Sequence, residues 1–341
     1  MEKINPQDIR KIIISRTDNL GDVILTLPLI NNIKKIFPDA DIYFLLKKSF
    51  NELLYDYQGL NKLVFIEDLQ TEKILKEYFV REQFDAGINV FPVLKISYAM
   101  FDAGIKIRAG TGYRWFSFLY NYRLYEHRKY AKKHESEYNL NLLTLLTEKK
   151  VFPVEFNFKI INEEKKLLNL KLKNFNLQLR DKYLIVHPFS RKSAKDIPTD
   201  KIIQIVSSIV RRFGFLKVVI TGTAEESEKI KHLLNQIDLN IKHKIINLSG
   251  ELSLRELMIL IYDSVLFISN STGPVHIAGA LNKDIIAFYP KTKPMNKERW
   301  KPLSSKSHVF EPEDEKDDMN SINVEKVLET ASEIIREKET F

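Results

Sequence analysis

The chain has 341 residues, 44% hydrophobic and 29% charged, with no cysteine and a formal net charge of +8. The length exceeds the roughly 250 residues at which single cores stop growing, so two domains are expected. The composition excludes disulfide scaffolds, cysteine–zinc sites and thiol nucleophiles, and neither a signal peptide nor an apolar run of roughly 18 residues is present, so a soluble, cytoplasmic protein is expected.

In chain order, β-branched runs at 12–15, 41–46, 62–66 and 85–90 predict buried strands. Between the first two, Val23, Leu27, Ile30, Ile33 and Phe37 recur at helical spacing, and Pro28 predicts a kink or a late start near Thr26. Residues 105–133 carry Lys106, Arg108, Arg114, Arg123, Arg128, Lys129, Lys132 and Lys133 against one acid, Glu126, with Tyr, Trp and Phe interleaved. Such a segment suits RNA or an anionic headgroup layer, and an ordinary solvated basic face is the plainer reading. The Lys- and Asn-rich stretch 151–180 holds the domain boundary. The pattern then restarts with strands at 182–187, 217–221, 244–248, 264–269 and 284–288. Thr223 with Glu226 and Ser253 with Glu256 are capping boxes that open helices. The acidic run 311–318 reads as a solvated loop, and 323–336 as a final amphipathic helix. Strands alternating with helices predict parallel βαβ units.

Three loops follow predicted strands, where open α/β sheets bind ligands. The first is Arg16-Thr-Asp-Asn-Leu-Gly-Asp22. Asp22 suits either a helix cap or a general base, and Asp18 is the nearby competitor. In the second, His187-Pro-Phe-Ser-Arg-Lys-Ser-Ala-Lys195, cations and hydroxyls suit phosphate, or simply a basic surface. The third, Ser269-Asn-Ser-Thr-Gly-Pro-Val-His276, ends a strand in hydroxyls and glycine, with Pro274 at a plausible first helical position. A helix start of this kind favours an anion; a normal cap with His276 packed inward is the alternative. Neither G-x-G-x-x-G nor G-x-x-x-x-G-K-[ST] occurs. Asp39-Ala-Asp41 has D-x-D spacing but reads as a turn, and no His or carboxylate cluster has metal-ligand spacing, so no metal site is expected.

These loops, in this order, resemble glycosyltransferase family 9, the ADP-heptose:lipopolysaccharide heptosyltransferases. RTDNLGDVILTLPLINNIKKIFPDADIYFLL is similar to the family's opening, HESEYNL to the end of its N-terminal domain, and INLSGELSLRELMILIYDSVLFISNSTGPVHIAGALNKDIIAFY to its C-terminal signature. The resemblance implies a GT-B fold, two Rossmann-like domains with a cleft between them. Expected boundaries are 1–165 for an acceptor-binding domain, 166–320 for a nucleotide-sugar-binding domain and 321–341 for a helix crossing back to the first. It implies an inverting, metal-independent transfer of heptose with Asp22 as catalytic base. Ser190, Arg191, Lys195, Ser271, Thr272, Gly273 and His276 are expected to bind the donor, and Asp18, Arg108, Arg114 and Arg123 the acceptor. No cofactor is implied; ADP-heptose is a co-substrate. The expected partners are that donor and an anionic glycolipid acceptor at the inner face of the inner membrane, with no nucleic acid. Ser271 stands where the family usually has Asp, a lost charge that leaves open another nucleotide sugar for capsule, O-antigen or protein glycosylation, or a non-catalytic binder.

Overall fold

The structure, a computed structural model, describes residues 8–190 and 194–339. It divides into two compact units, Met1–Lys159 and Ile160–Phe341. In the first, strands β1 (Lys11–Ser15), β2 (Asp41–Leu46), β3 (Lys62–Phe65), β4 (Ala86–Asn89), β5 (Ile107–Thr111) and β6 (Tyr122–Leu124) form one sheet in the order β3-β2-β1-β4-β5-β6. Every pairing is parallel. β1 and β4 lie in the interior and are almost wholly buried, and each holds apolar residues at its centre.

The helix anticipated across 23–37 is two helices, Leu20–Ile24 and Pro28–Ile36. Pro28 lacks the N–H that a continuous helix would need, so it opens the second. Asn31 and Asn32, on that second helix, donate to the carbonyls of Glu155 at 2.7 Å and Pro153 at 2.8 Å. The backbone N–H of Asn157 donates to the Tyr57 hydroxyl at 3.0 Å. These bonds hold residues 153–157 on the first unit.

In the second unit, β7 (Tyr183–His187), β8 (Lys217–Ile220), β9 (Ile245–Asn247), β10 (Phe267–Asn270), β11 (Ile285–Phe288) and β12 (Ser307–Phe310) run β12-β11-β10-β7-β8-β9, again all parallel. Numbered from its own first strand, this is the topology of the first sheet. The break falls between 159 and 160, not at 165, because the helix Asn162–Leu172 is bound to the helix Leu254–Asp263 of the second unit. Three ion pairs tie the two: Lys165–Asp263 at 2.7 Å, Lys171–Glu256 at 2.8 Å and Arg255–Glu164 at 2.8 Å. Both capping boxes are present, at Thr223–Glu226 and Ser253–Glu256. Val327, Ala331, Ile334 and Ile335 of the last helix, Val324–Glu339, enter the core of the second unit. No described helix is long and apolar enough to cross a membrane.

Candidate functional site

Strand order reverses between β1 and β4, and open parallel sheets bind ligands outside the carboxyl ends at such a point. Arg16 follows β1 directly and is buried. Its Nε donates to Asp18 at 2.7 Å, and one terminal nitrogen donates to Asp22. Its other terminal nitrogen reaches Glu135 at 3.3 Å and Asn139 at 3.2 Å. The guanidinium lies over the ring of Phe91, from the loop after β4, 6.0 Å from its centroid.

Asp22 sits within the first turn of its helix. The N-cap position belongs to Asn19, which makes no side-chain cap bond, so capping does not account for Asp22. Burial pushes the Asp22 carboxyl up; Arg16 pulls it down, while Asp18 and Glu135 raise it further, and it comes to rest at about 6. That is the range a general base needs near neutral pH. Asp18, expected on the acceptor, is engaged by Arg16. Glu135 is fully buried and also accepts from Arg128, and Asn139 accepts from Arg128 at 2.9 Å. Asn139 in turn donates to the Leu25 carbonyl at 3.0 Å and the Thr26 hydroxyl at 3.2 Å.

The three arginines expected on the acceptor stand near the β5–β6 edge. Arg108 folds back, donating to the carbonyls of Leu119 at 2.8 Å and Ile105, with its guanidinium over Phe101. Arg123 donates to the Tyr120 carbonyl at 2.8 Å. These two brace their own loop; Arg114 is exposed. Around them Trp115 is 76% exposed and Phe118 63% exposed, and Tyr113 stacks on His127 with centroids 3.8 Å apart.

In the second sheet the order reverses between β7 and β10, and both expected donor loops leave from there. Asn270 joins them. Its side chain accepts from the Ile197 N–H at 3.0 Å and donates to the Pro188 carbonyl. Buried Ser190 bonds within its loop, donating to the Ala194 carbonyl at 3.1 Å. Arg191 lies outside the described residues. Lys195 donates to the carboxylate of Asp317 at 3.0 Å and to its carbonyl at 3.1 Å. Partial burial would raise the Asp317 carboxyl, but bonds from Thr292, the Lys291 N–H and Lys195 hold it down to about 2.

Beyond β10, the helix Gly273–Ala280 starts with Thr272 at the N-cap and Pro274 in its second position. The Thr272 side chain makes no cap bond; its hydroxyl pairs with that of Ser269 at 2.9 Å. The N-terminal N–H groups therefore receive no capping oxygen from Thr272, and the first turn has no acid, a polarity that suits an anion. Ser271 bonds to Tyr289, whose hydroxyl donates to the Trp300 carbonyl at 2.7 Å. His276 is buried with its ring 6.2 Å from that of Trp300. Among the described residues, no group of three His, Cys, Asp or Glu could hold a metal ion. Asp39 pairs with Arg10 at 3.1 Å, and Asp41 accepts from Asn61 at 2.7 Å.

The profile of glycosyltransferase family 9 (heptosyltransferase) matches residues 74–328. The chain belongs to glycosyltransferase family 9. It is 27% identical over 314 residues to a Haemophilus influenzae protein known only as a provisional glycosyltransferase, covering 87% of each. It is 25% identical over 298 residues to lipopolysaccharide heptosyltransferase 1 of Campylobacter coli, covering 83% of this chain and 84% of that protein. Among solved structures, a family 9 glycosyltransferase of Veillonella parvula superposes with a TM-score of 0.83 at 19% identity, over 98% of this chain and 99% of the other. ADP-heptose LPS heptosyltransferase II of Escherichia coli superposes with 0.80 at 20% identity, over 97% and 100%. These likenesses show the fold: the α/β, GT-B-type arrangement of two Rossmann-like units that this glycosyltransferase shares with them.

The pairing of Arg16 with Glu135 and Asn139 spans 119 and 123 positions and leaves no mark in the linear sequence, while Arg128, only 7 and 11 positions from Glu135 and Asn139, reads there as one more cation of a basic segment. Asn270 and Asp317 likewise pair across 73 and 122 positions, with Ile197 and Lys195, while the bond between Tyr289 and Trp300, 11 positions apart, belongs to no motif. Two signals were available for the Arg16 group: Arg16 stands immediately after a buried strand, and Glu135 and Asn139 lie within HESEYNL.

Proposed function

We propose that this family 9 enzyme transfers heptose from ADP-heptose, with inversion, to an anionic acceptor of the lipopolysaccharide-core type. The observation that carries the reading is Asp22: a buried carboxylate at the reversal point of the first sheet, with its carboxyl near 6. Asp22 takes the proton of an acceptor hydroxyl, the hydroxyl oxygen bonds to the anomeric carbon, and the bond from that carbon to the nucleoside diphosphate breaks. Lys195 and the N–H groups opening the helix Gly273–Ala280 stabilise the charge that develops on the departing diphosphate. The names of the curated relatives support heptose as the sugar.

A metal plays no part in this scheme, because cations and N–H groups of the chain meet the leaving group. Release of ADP from ADP-heptose with a lipopolysaccharide-core acceptor present should therefore continue at an undiminished rate in excess EDTA. Loss restored by Mg²⁺ or Mn²⁺ would count against the mechanism. A second donor remains in view on one observation: Ser271, where the family usually carries Asp, is tied to Tyr289. Faster release from a UDP- or GDP-sugar in the same assay would establish it.

The face around 113–130 fits an anionic bilayer, since exposed Trp115 and Phe118 stand among arginines and lysines. Burial of one large apolar side chain contributes roughly 1.5–3 kcal/mol. Exchanging both for Ser should weaken flotation with phosphatidylglycerol-containing vesicles by at least about tenfold. Equal flotation of variant and parent would remove this face from the membrane.

A further inference from the structure

A lone guanidinium beside a buried carboxylate normally makes it a poor base, drawing its pKa down by roughly 1–3 units. In the Asp22 site the guanidinium of Arg16 is divided among Asp18, Asp22 and Glu135, with Asn139 accepting as well. Glu135 has no exposed surface and draws on Arg128 from its other side. The charged groups facing Asp22 are thus Arg16 at the end of β1, Asp18 in the loop that follows, and Glu135 at the start of the helix Glu135–Leu140, with Arg128 behind it. Two guanidiniums stand among three carboxylates. The set becomes neutral when one proton arrives, as it does when a base at this position takes the proton of an attacking hydroxyl.

We propose that Arg16 and Glu135 are positioning residues for Asp22: Glu135, braced by Arg128, holds the Arg16 guanidinium and so sets where the Asp22 carboxylate points and how readily it takes a proton. The inference rests on reading Asp22 as the base. It predicts opposite effects for two substitutions. Glu135→Gln keeps the shape and one acceptor oxygen but removes the competing charge, so Arg16 leans on Asp22 and its titration moves down by about one pH unit. Arg128→Gln leaves Glu135 to Arg16 alone, so less of the guanidinium serves Asp22 and its titration moves up by about half a unit.

The measurement is a pH titration of the full chain labelled with ¹³C at the Asp side-chain carboxyl, with the Asp22 resonance identified by its loss in Asp22→Asn. Opposite shifts in the two variants, mirrored in the acid limb of kcat/KM for ADP release from ADP-heptose, bear out the proposal. Coincident titrations, or shifts in one direction, overturn it. Should Glu135→Gln not fold, the upward shift in Arg128→Gln, whose side chain is partly exposed, decides alone. If the titrations shift as expected while Asp22→Asn keeps full turnover, the positioning stands and the assignment of the base falls.

Discussion

Asp22→Asn should lower turnover by a factor on the order of 10² or more while leaving nucleoside-diphosphate affinity nearly unchanged, the loss expected when a general base is removed. Asn has the size of Asp and keeps an oxygen for Arg16, so the turn between β1 and the helix Leu20–Ile24 should survive. In the parent enzyme only the ionised carboxylate can accept a proton. With the carboxyl at about 6, kcat/KM should fall as pH drops below that value and level off above it. Single-turnover ADP release from pH 5 to 8 on both proteins is the check. Near-normal turnover in the Asn variant would reduce Asp22 to a partner of Arg16.

Lys195→Ala should weaken ADP binding by about 10- to 150-fold, since a charge-assisted hydrogen bond contributes roughly 1.5–3 kcal/mol. The pairing with Asp317 points to the lower end of that range, because a diphosphate must first draw Lys195 away from a carboxylate. Asp317→Asn should accordingly tighten ADP binding severalfold. Lys195→Arg should rescue only in part, a planar fork being a poor substitute for a point charge. Acceptor affinity should stay within about twofold. Calorimetric titration with ADP, UDP and GDP reads these effects and ranks the bases. Unchanged affinity in Lys195→Ala would place the diphosphate elsewhere.

How much of this was legible depended on burial. The nine strands expected from apolar runs are all present: the interior ones because parallel strands covered on both faces leave a continuous signature, and β3 and β9, which lie at sheet edges, because each keeps a short apolar run. β5, β6 and β12 left none. They lie toward sheet edges and are partly exposed along much of their length, so polar residues interrupt them. β5 also carries Gly110, where a Cβ would stand 2.6 Å from the ring of Tyr120; the strand gives up a side chain to seat that tyrosine. The loops after β1, β7 and β10 were found because hydroxyls, glycine and charge gather where strands stop. What each side chain does there was not: Arg16 dividing itself among three acids and Asp317 holding Lys195 depend on segments that meet only in the folded chain.

The helix Val324–Glu339 contributes Val327, Ala331, Ile334 and Ile335 to a core whose strands are all made before it. Each unit is also an uninterrupted stretch of chain. During synthesis, domains generally fold in order from the N-terminus. The unit that carries Asp22 has every segment it needs before translation of the other is under way, whereas the unit that carries Lys195 keeps apolar surface uncovered until that last helix emerges. A message cut short before Val324 would therefore yield a well-formed first half joined to an aggregation-prone second, and chaperone demand in the cell should concentrate on the second half.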